Sequence, residues 1–377
     1  MADKLIVRDF GPIKNAELDI KKTTVLIGPQ GSGKSTLAKL VATATNISWH
    51  FMLTDDYDAK LHLSDFGIQN FVKAQSYFFY QHNLTEVKLS YSKNEFGENA
   101  DSTNPLFQVQ NSKLKDIISN FRNKKIDNDQ KSKEIQELIF RPIYVPSERL
   151  MLPIVRDASL SFQLNKIPLP MSLLYFGSEF EQARKKVSIL KTLLDGVEYR
   201  FVNGEDRVIF KGGNLNLSET ASGYQAIIPM QVIIENLFRE NNQKFIVEEP
   251  ELNLYPPTQK SLISFLTSRC TLGDNQLLLT THSPYVLSSL NNLLFAYKVA
   301  QKHPEQAEEI AKIIPKESWL NPDDFAAYFV ADGTVRSIVN PKTGLIAENE
   351  LDGVSEDIGD EFDALMEIYR TTNETSH

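Results

Sequence analysis

The 377-residue sequence has one cysteine, Cys270, so it holds no internal disulfide, and this scarcity is typical of proteins from a reducing compartment. It has no apolar run near the roughly 20 residues that a membrane-spanning helix requires. Its first residues lack the apolar stretch of a secretory signal, and the sequence contains no internal repeat or low-complexity segment. We therefore expect a soluble, cytoplasmic protein without a membrane segment.

The net charge of −9 is concentrated at one end of the sequence. Residues 348–377 contain ten Asp or Glu and one Arg, a local net charge of −9, so the remaining residues are about neutral (−9 minus −9). We expect the acidic segment to form a solvated helix face, with a docking surface for a partner as the alternative. The overall acidity therefore does not exclude contact with nucleic acid.

A glycine-rich segment lies between a β-branched run, Thr23–Ile27, and a helical pattern that begins near Ser35. It fits the pattern G-x-x-x-x-G-K-S/T, in which backbone N–H groups and a helix N-terminus bind phosphate oxygens. The pattern predicts that Lys34 reaches the β- and γ-phosphates of ATP and that the Ser35 hydroxyl ligates Mg²⁺. The predicted nucleotide-binding residues are Gly28, Pro29, Gln30, Gly31, Ser32, Gly33, Lys34, Ser35 and Thr36.

Two later apolar runs end in side chains that can carry chemistry. The run at 244–247 is followed by Glu248 and Glu249, and the run at 277–281 is followed by His282. Buried parallel strands place such residues at one edge of a sheet, beside the phosphate loop. We expect Glu248 to ligate Mg²⁺, Glu249 to orient or deprotonate the attacking water, and His282 to hydrogen-bond the γ-phosphate.

A fourth motif precedes the glutamate pair by about twenty residues and reads Ala221-Ser222-Gly223-Tyr224-Gln225. At a predicted helix start, Ser222 and Gly223 offer a hydroxyl and accessible N–H groups to a phosphate, although an ordinary helix cap is the alternative. Pro229 lies close behind, so a later start of the helix is also open.

The order of these four motifs resembles the ABC-type ATPase head. The fourth motif is similar to that family's Leu-Ser-Gly-Gly-Gln signature, with Ala and Tyr as departures, over a resemblance that covers about residues 1–50 and 195–300. The Glu-Glu-Pro-Glu and Thr-His-Ser-Pro segments are similar to the non-transporter branch. That branch includes SMC and RecF-type DNA-repair ATPases, OLD-family nucleases and small bacterial ATPases of the AAA-15/AAA-21 kind.

This resemblance implies an α/β fold with a mixed and parallel sheet, an antiparallel β subdomain and a helical insertion. It also implies a head-to-tail homodimer, with higher oligomers left open. The phosphate loop of one copy would face Ser222, Gly223 and Gln225 of the other across ATP and Mg²⁺. The family's Mg²⁺-contacting glutamine is left open among three residues, which are Gln69, Gln75 and Gln81.

We expect the ATPase head to comprise residues 1–50 and 195–300. A largely helical insertion would span 51–194, with a core strand near 142–146, and an α/β extension with the acidic end would span 301–377. Helical patterns are predicted at 113–140, as a charged arm, and at 178–194, and the turn residues Asn203 and Gly204 predict a hairpin.

Two segments, 144–149 and 325–330, look like those of phage-defence ATPases of the PARIS and Septu type, which work with a separately encoded effector such as a nuclease or toxin. The favoured hypothesis is an ATP-driven dimeric switch that controls such an effector. The alternative is a DNA-repair or recombination ATPase that clamps DNA, and less favoured ones are a transporter subunit and an ATP-binding scaffold. The basic residues available for DNA are Lys113, Lys115, Arg122, Lys124, Lys125, Lys131, Lys133, Arg184, Lys185 and Lys186.

Overall fold

The computed structural model describes residues 3–46, 63–73, 75–82, 85–90, 106–110, 140–347 and 359–366. It confirms the predicted α/β class, because the described residues form a mixed sheet of eleven strands, a separate antiparallel sheet of four strands, and packed helices. Nearly all of the predicted charged arm at 113–140 and most of the acidic segment at 348–377 lie outside the described residues. Among the residues that are described, no helix has the length and apolar character that crossing a bilayer requires.

Strands and helices alternate along much of the chain. The strands are β1 (Asp3–Phe10), β2 (Ile13–Ile20), β3 (Thr23–Ile27), β4 (Tyr77–His82), β5 (Thr85–Ser90), β6 (Leu106–Gln110), β7 (Arg141–Val145), β8 (Ile189–Lys191), β9 (Glu198–Val202), β10 (Glu205–Phe210), β11 (Gly213–Asn216), β12 (Gln243–Glu248), β13 (Gln276–Thr281), β14 (Phe325–Ala331) and β15 (Thr334–Ser337). The helices are α1 (Lys34–Thr45), α2 (Leu152–Asp157), α3 (Ser159–Leu164), α4 (Met171–Lys186), α5 (Ser222–Leu237), α6 (Pro256–Cys270), α7 (Pro284–Lys302), α8 (Ala307–Ile313) and α9 (359–366).

The large sheet has the order β6-β5-β4-β1-β2-β15-β14-β3-β13-β12-β7. The strands from β14 to β7 run parallel to one another, whereas those from β6 to β2 form an antiparallel wing. Every residue of β3 and of β12 is buried, which agrees with the apolar runs at 25–27 and 245–247, because a parallel strand is covered on both faces. The carboxyl ends of β3, β13 and β12 therefore lie side by side at one edge.

Helices cover both faces of the large sheet. On one face, Leu37 of α1 shares a core cluster with Leu5 of the wing and Ile246 of β12. On the other face, α4 and α5 contribute Phe180 and Ile227 to a second cluster, which also includes residues of the four-stranded sheet β11-β10-β9-β8. The phosphate loop and the ends of the parallel strands thus lie between two packed layers.

The predicted hairpin turn at 203–204 joins β9 to β10, and residues 11–12 join β1 to β2. The predicted helix at 178–194 is wrong in its bounds, because α4 begins seven residues earlier and ends at Lys186, and β8 follows it and pairs with β9. Gly177 inside α4 allows the helix to approach Leu152 of α2, where an added Cβ would lie 2.8 Å from Cδ1. Tertiary packing therefore overrides the low helix propensity of glycine at this position.

The predicted domain ranges stay a prediction. Strands from all three of them join one sheet, since β4 to β7 lie within 51–194 and β14 and β15 lie within 301–377. The described part of the predicted insertion contains β4 to β8 as well as α2 to α4. The large sheet thus continues across the predicted boundaries.

A buried ion pair joins two strands that are distant in the sheet order. Lys244 of β12 places Nζ 2.7 Å from Oδ2 of Asp3 in β1, although five strands separate β1 from β12, so the sheet must curl. Tyr80 donates a hydrogen bond of 2.6 Å to the same oxygen, and His82 lies 2.6 Å from Oδ1. Burial alone would raise the pKa of Asp3, but the charge of Lys244 and the hydrogen bond from His82 hold it well below its usual value.

We predict that Lys244→Met destabilises the fold, because it leaves the Asp3 carboxylate buried without its cation. Breaking such a pair typically costs about 3–5 kcal/mol of unfolding free energy, which urea unfolding at pH 7 would measure. The double change Asp3→Asn with Lys244→Met should cost much less. Since the Asp3 pKa is depressed, the pair's contribution is present above about pH 4 and falls away at lower pH. Equal losses in the single and double variants would contradict this account.

Candidate functional site

The predicted phosphate loop connects β3 to α1 and depends on glycine at both of its ends. Gly28 and Gly33 have φ values of 151° and 106°. An added Cβ at Gly28 would lie 2.1 Å from the carbonyl oxygen of Val330 in β14, and one at Gly33 would lie 2.4 Å from Cδ1 of Ile13. Only glycine allows these close approaches. The crest of the loop, Pro29–Gly31, is exposed, so its backbone is accessible to a ligand.

Lys34 begins α1 and is 4% exposed. Its Nζ donates hydrogen bonds to the carbonyl oxygens of Gly28 at 2.8 Å and Pro29 at 2.7 Å, so the ammonium group lies inside the loop. Burial lowers the pKa of Lys34 to about 8, and the negative charges of nearby glutamates, foremost Glu249, only partly oppose this. The carbonyl oxygens that surround the ammonium group are neutral. A bound phosphate would supply a negative charge and so stabilise the ammonium group more strongly.

Glu248 ends β12 and is almost completely buried, with 1% of its surface exposed. Its Oε2 accepts a hydrogen bond of 3.4 Å from the Ser147 backbone, whereas Oε1 has no hydrogen-bonding partner among the described residues. Burial raises the pKa of Glu248, opposed by the charge of Lys39 and by the nearby hydroxyls of Tyr144 and Ser35. A buried carboxylate with a free oxygen close to Ser35 fits the predicted Mg²⁺ site, because Mg²⁺ prefers one or two carboxylates together with phosphate oxygens.

Glu249 and His282 come together as predicted from the ends of neighbouring strands. The register pairs Glu248 with Thr280, so the residues that follow lie side by side. His282 Nε2 is 3.4 Å from Glu249 Oε1, and the two side chains are 28% and 27% exposed. Glu249 has a left-handed φ of 43°, which is uncommon for a residue with a side chain and is typical of strained functional sites. The two groups are thus accessible to solvent and ligand next to the buried Glu248.

Glu251 has a role that the sequence did not reveal. Its Oε1 accepts hydrogen bonds from Thr281 Oγ1 at 2.6 Å and from the His282 backbone at 2.9 Å. Glu251 therefore fixes the backbone that carries the predicted phosphate sensor. The only signal was its position in the Glu-Glu-Pro-Glu segment, which does not specify this contact.

The predicted signature motif forms the start of α5, which begins at Ser222 and contains Pro229 within it. Ser222 is exposed, and an added Cβ at Gly223 would lie 3.0 Å from the carbonyl oxygen of Asn253, so the helix start packs against the loop after the glutamate pair. Gln225 is mostly buried, and its Nε2 donates 2.7 Å and 3.2 Å hydrogen bonds to the carbonyls of Thr220 and Ser218. In this conformation Gln225 stabilises its own loop, and its role across a dimer stays a prediction.

The three glutamines that the family resemblance left open as Mg²⁺ contacts lie in different parts of the structure. Gln81 lies in β4 opposite Lys4, far along β1 from the phosphate loop, and Gln75 is exposed in a turn. Gln69 lies in the 3-10 turn Gln69–Phe71, and the Phe71 carbonyl accepts a hydrogen bond of 3.0 Å from Gly11 beside the loop. The Oε1 atom of Gln69 is buried without a hydrogen-bonding partner among the described residues. These observations favour Gln69.

Comparison with known proteins gives a family match. Residues 43–287 match the family model described as AAA ATPase domain, a range that includes the signature, the glutamate pair and His282 but begins after the phosphate loop. No curated protein matches the sequence.

Three solved structures are similar to the chain over most of its length. The SMC head domain from Thermotoga maritima is 14% identical, with a TM-score of 0.43, and the match covers 90% of this chain and 98% of that one. An SmcHead bound to the C-winged helix domain of ScpA is 10% identical, with a TM-score of 0.46 and coverages of 89% and 96%. An Smc head domain with an extended coiled coil, bound to the C-terminal domain of ScpA derived from Pyrococcus furiosus, is 12% identical, with a TM-score of 0.42 and coverages of 89% and 95%. All three TM-scores are below 0.5, so no functional role of a residue is inferred from these similarities.

The depressed pKa of Lys34 predicts that affinity for ATP falls as the pH rises above about 8. The negative charge of the phosphates favours the protonated form of Lys34. At pH values between the pKa of Lys34 in the free protein and its higher pKa in the complex, binding of ATP should therefore be accompanied by uptake of a proton. We expect the dissociation constant to rise by at most about tenfold per pH unit in that window. Calorimetry at pH 8.5 in two buffers of different ionisation enthalpy would measure the uptake, and a constant affinity from pH 7.5 to 9.5 would contradict the prediction.

Proposed function

This chain belongs to the AAA ATPase domain family, and on that basis we propose that it hydrolyses ATP in a composite site formed by two copies. The single observation that carries the proposal is the pairing of Glu249 with His282 at 3.4 Å. This pair lies at the strand edge that also presents the phosphate loop and the buried Glu248. A partly exposed carboxylate beside an imidazole is suited to orient a water molecule against a terminal phosphate.

The residues of one copy divide the chemistry among them. The loop N–H groups and Lys34 would bind the phosphates, and Ser35 and the free oxygen of Glu248 would hold Mg²⁺. When bound, Mg²⁺ would offset phosphate charge. Glu249 orients the attacking water and accepts its proton, and His282 donates a hydrogen bond to the γ-phosphate.

The start of α5 supplies the second half of the proposed site. Ser222 is exposed at the first position of the helix, and the preceding residue, Ala221, has no side-chain group that could cap the helix N–H groups. Those groups and the Ser222 hydroxyl are suited to bind the γ-phosphate of a nucleotide held by another copy. A head-to-tail dimer would place each α5 against the loop of the partner, as in the ABC-type ATPases that the motifs resemble.

The biological role we propose is a molecular switch. ATP would close the dimer and hydrolysis would open it, and the change would control a separately encoded effector of a phage-defence system. The support is the resemblance of segments 144–149 and 325–330 to ATPases of such systems. For the alternative, a clamp on DNA, Arg184 is not available, because it is tied to the buried Asp206 at 2.6 Å. Lys185 and Lys186 are exposed, and the other basic residues proposed for DNA lie outside the described part of the chain.

We predict that Glu249→Gln binds ATP as the parent does. Its turnover rate should fall by about a hundredfold or more, because the amide cannot accept the proton. The variant should accumulate as an ATP-locked dimer, which light scattering after size exclusion would detect. Glu308→Gln, which removes an exposed carboxylate from α8, is the matched control and should behave as the parent. Parental turnover by Glu249→Gln would show that another group acts as the base.

We also predict that Ser222→Arg leaves nucleotide binding by each copy intact but prevents closure, because the larger side chain occupies the place of the partner's phosphates. Turnover by the parent should rise more steeply than linearly with protein concentration, whereas the variant should be inactive at every concentration. A variant that still dimerises with ATP would contradict the composite site.

A further inference from the structure

Arg149 is the largest fully buried side chain of the described residues, with no measurable exposure. It lies in the 3-10 turn Ser147–Met151, which follows β7. A buried charge requires compensation from its surroundings, and here the guanidinium group is surrounded by backbone carbonyl oxygens. Burial lowers its pKa to about 10, partly opposed by nearby glutamates, foremost Glu251, so it keeps its proton at neutral pH.

The hydrogen bonds of Arg149 connect three segments of the chain. Nη1 donates to the carbonyl of Glu248 at 2.7 Å and to that of Pro146 at 3.0 Å, and Nη2 donates to the carbonyl of Glu249 at 2.7 Å. Nε donates to the carbonyl of Ala226 at 3.2 Å. The segment of Glu248 and Glu249 carries the carboxylates of the site, Pro146 precedes the turn of Arg149 itself, and Ala226 lies one turn into α5, four residues after the exposed Ser222.

The bond to the Glu249 carbonyl affects the strained part of the site. Glu249 is held in a left-handed conformation, and its carbonyl also accepts a hydrogen bond of 3.1 Å from the backbone of Leu252. Arg149 therefore helps to determine the orientation of the peptide that aims the Glu249 side chain. The start of α5 makes a second contact with this region, because Gly223 packs against the carbonyl of Asn253.

The planar guanidinium group is required for this arrangement. It offers five N–H donors in a fixed plane, four of which bond to the carbonyls of four residues. Lysine would retain the positive charge, but its three donors radiate from one nitrogen and cannot span both α5 and the glutamate pair. Arg149→Lys therefore separates the charge from the geometry.

We propose that Arg149 is a positioning residue that couples the start of α5 to the backbone of Glu249. Contact of a second copy at Ser222 would then shift or rigidify the turn that aims the catalytic carboxylate. Hydrolysis would thereby depend on a closed dimer and not on nucleotide binding alone. This coupling rests on the composite site proposed above. It adds a connection within one copy, through which contact at Ser222 affects Glu249, the group proposed to orient the water.

The first test compares Arg149→Lys with Arg184→Lys, which changes a mostly buried arginine bonded to a carboxylate away from the site. Both changes should lower the melting temperature. Only Arg149→Lys should lower kcat, by roughly ten- to a hundredfold, because a small misplacement of a catalytic group is that costly, while the dissociation constant for ATP stays within about twofold. A parental kcat in a folded Arg149→Lys variant would overturn the proposal, as would equal losses of kcat in both variants.

The second test needs no change at Arg149 and applies even where that variant does not fold. Hydrogen exchange of the unmodified chain is measured for residues 223–230 and 249–254 while a non-hydrolysable ATP analogue is titrated. Coupling predicts that both segments gain protection together, and that in Ser222→Arg neither gains it although the analogue still binds. Protection of 223–230 without 249–254 would overturn the coupling but leave the dimer intact. Absence of protection in both segments of the unmodified chain would overturn the composite site and the coupling with it.

Discussion

The in-register ends of the parallel strands β3, β13 and β12 determine where the chemistry of this protein can occur. Ile27 lies opposite Thr281, and Thr280 lies opposite Glu248, so the phosphate loop, His282 and the glutamate pair follow at one edge. Because these strands are buried on both faces, their register cannot slip without moving every packed side chain to the opposite face of the sheet. Helices α1 and α5 pack against the two faces of the same sheet and bring the loop and the signature to this edge.

Burial and charge then give each group its role. Lys34 is buried enough to lower its pKa to about 8, and Glu248 is buried with one oxygen that no described residue satisfies. A bound phosphate would stabilise the charge of Lys34, and a divalent cation would stabilise that of Glu248, so both groups favour ligand binding. Arg149, by contrast, is satisfied by backbone carbonyls and holds the strand end to α5. In the proposed mechanism, different buried charges therefore carry ligand binding and the positioning of Glu249.

The sequence predicted those parts of the site that depend on local patterns. The loop, the glutamate pair and His282 follow apolar strands, and the rule that parallel strands end together was sufficient to bring them close. It could not predict the contact of Asp3 with Lys244, because that contact depends on the curl of the sheet. The hydrogen bonds of Arg149 and Glu251 to backbone carbonyl and N–H groups could not be predicted either. Every residue has such groups, so these contacts require no particular residue type in the partner.

The central claim, that each site is built from two copies, is tested most directly by mixing two inactive variants. Lys34→Ala lacks the lysine proposed to bind phosphate, and in Ser222→Arg the proposed signature is blocked. In a mixed dimer, the loop of the Ser222→Arg copy faces the signature of the Lys34→Ala copy, so both halves of this site are intact. The other site combines the altered loop with the introduced arginine. Because that site holds no nucleotide, it has room for the arginine. The account predicts that an equal mixture regains up to about a quarter of parental turnover, since half of the dimers carry one of two sites. A mixture as inactive as either variant alone would contradict it.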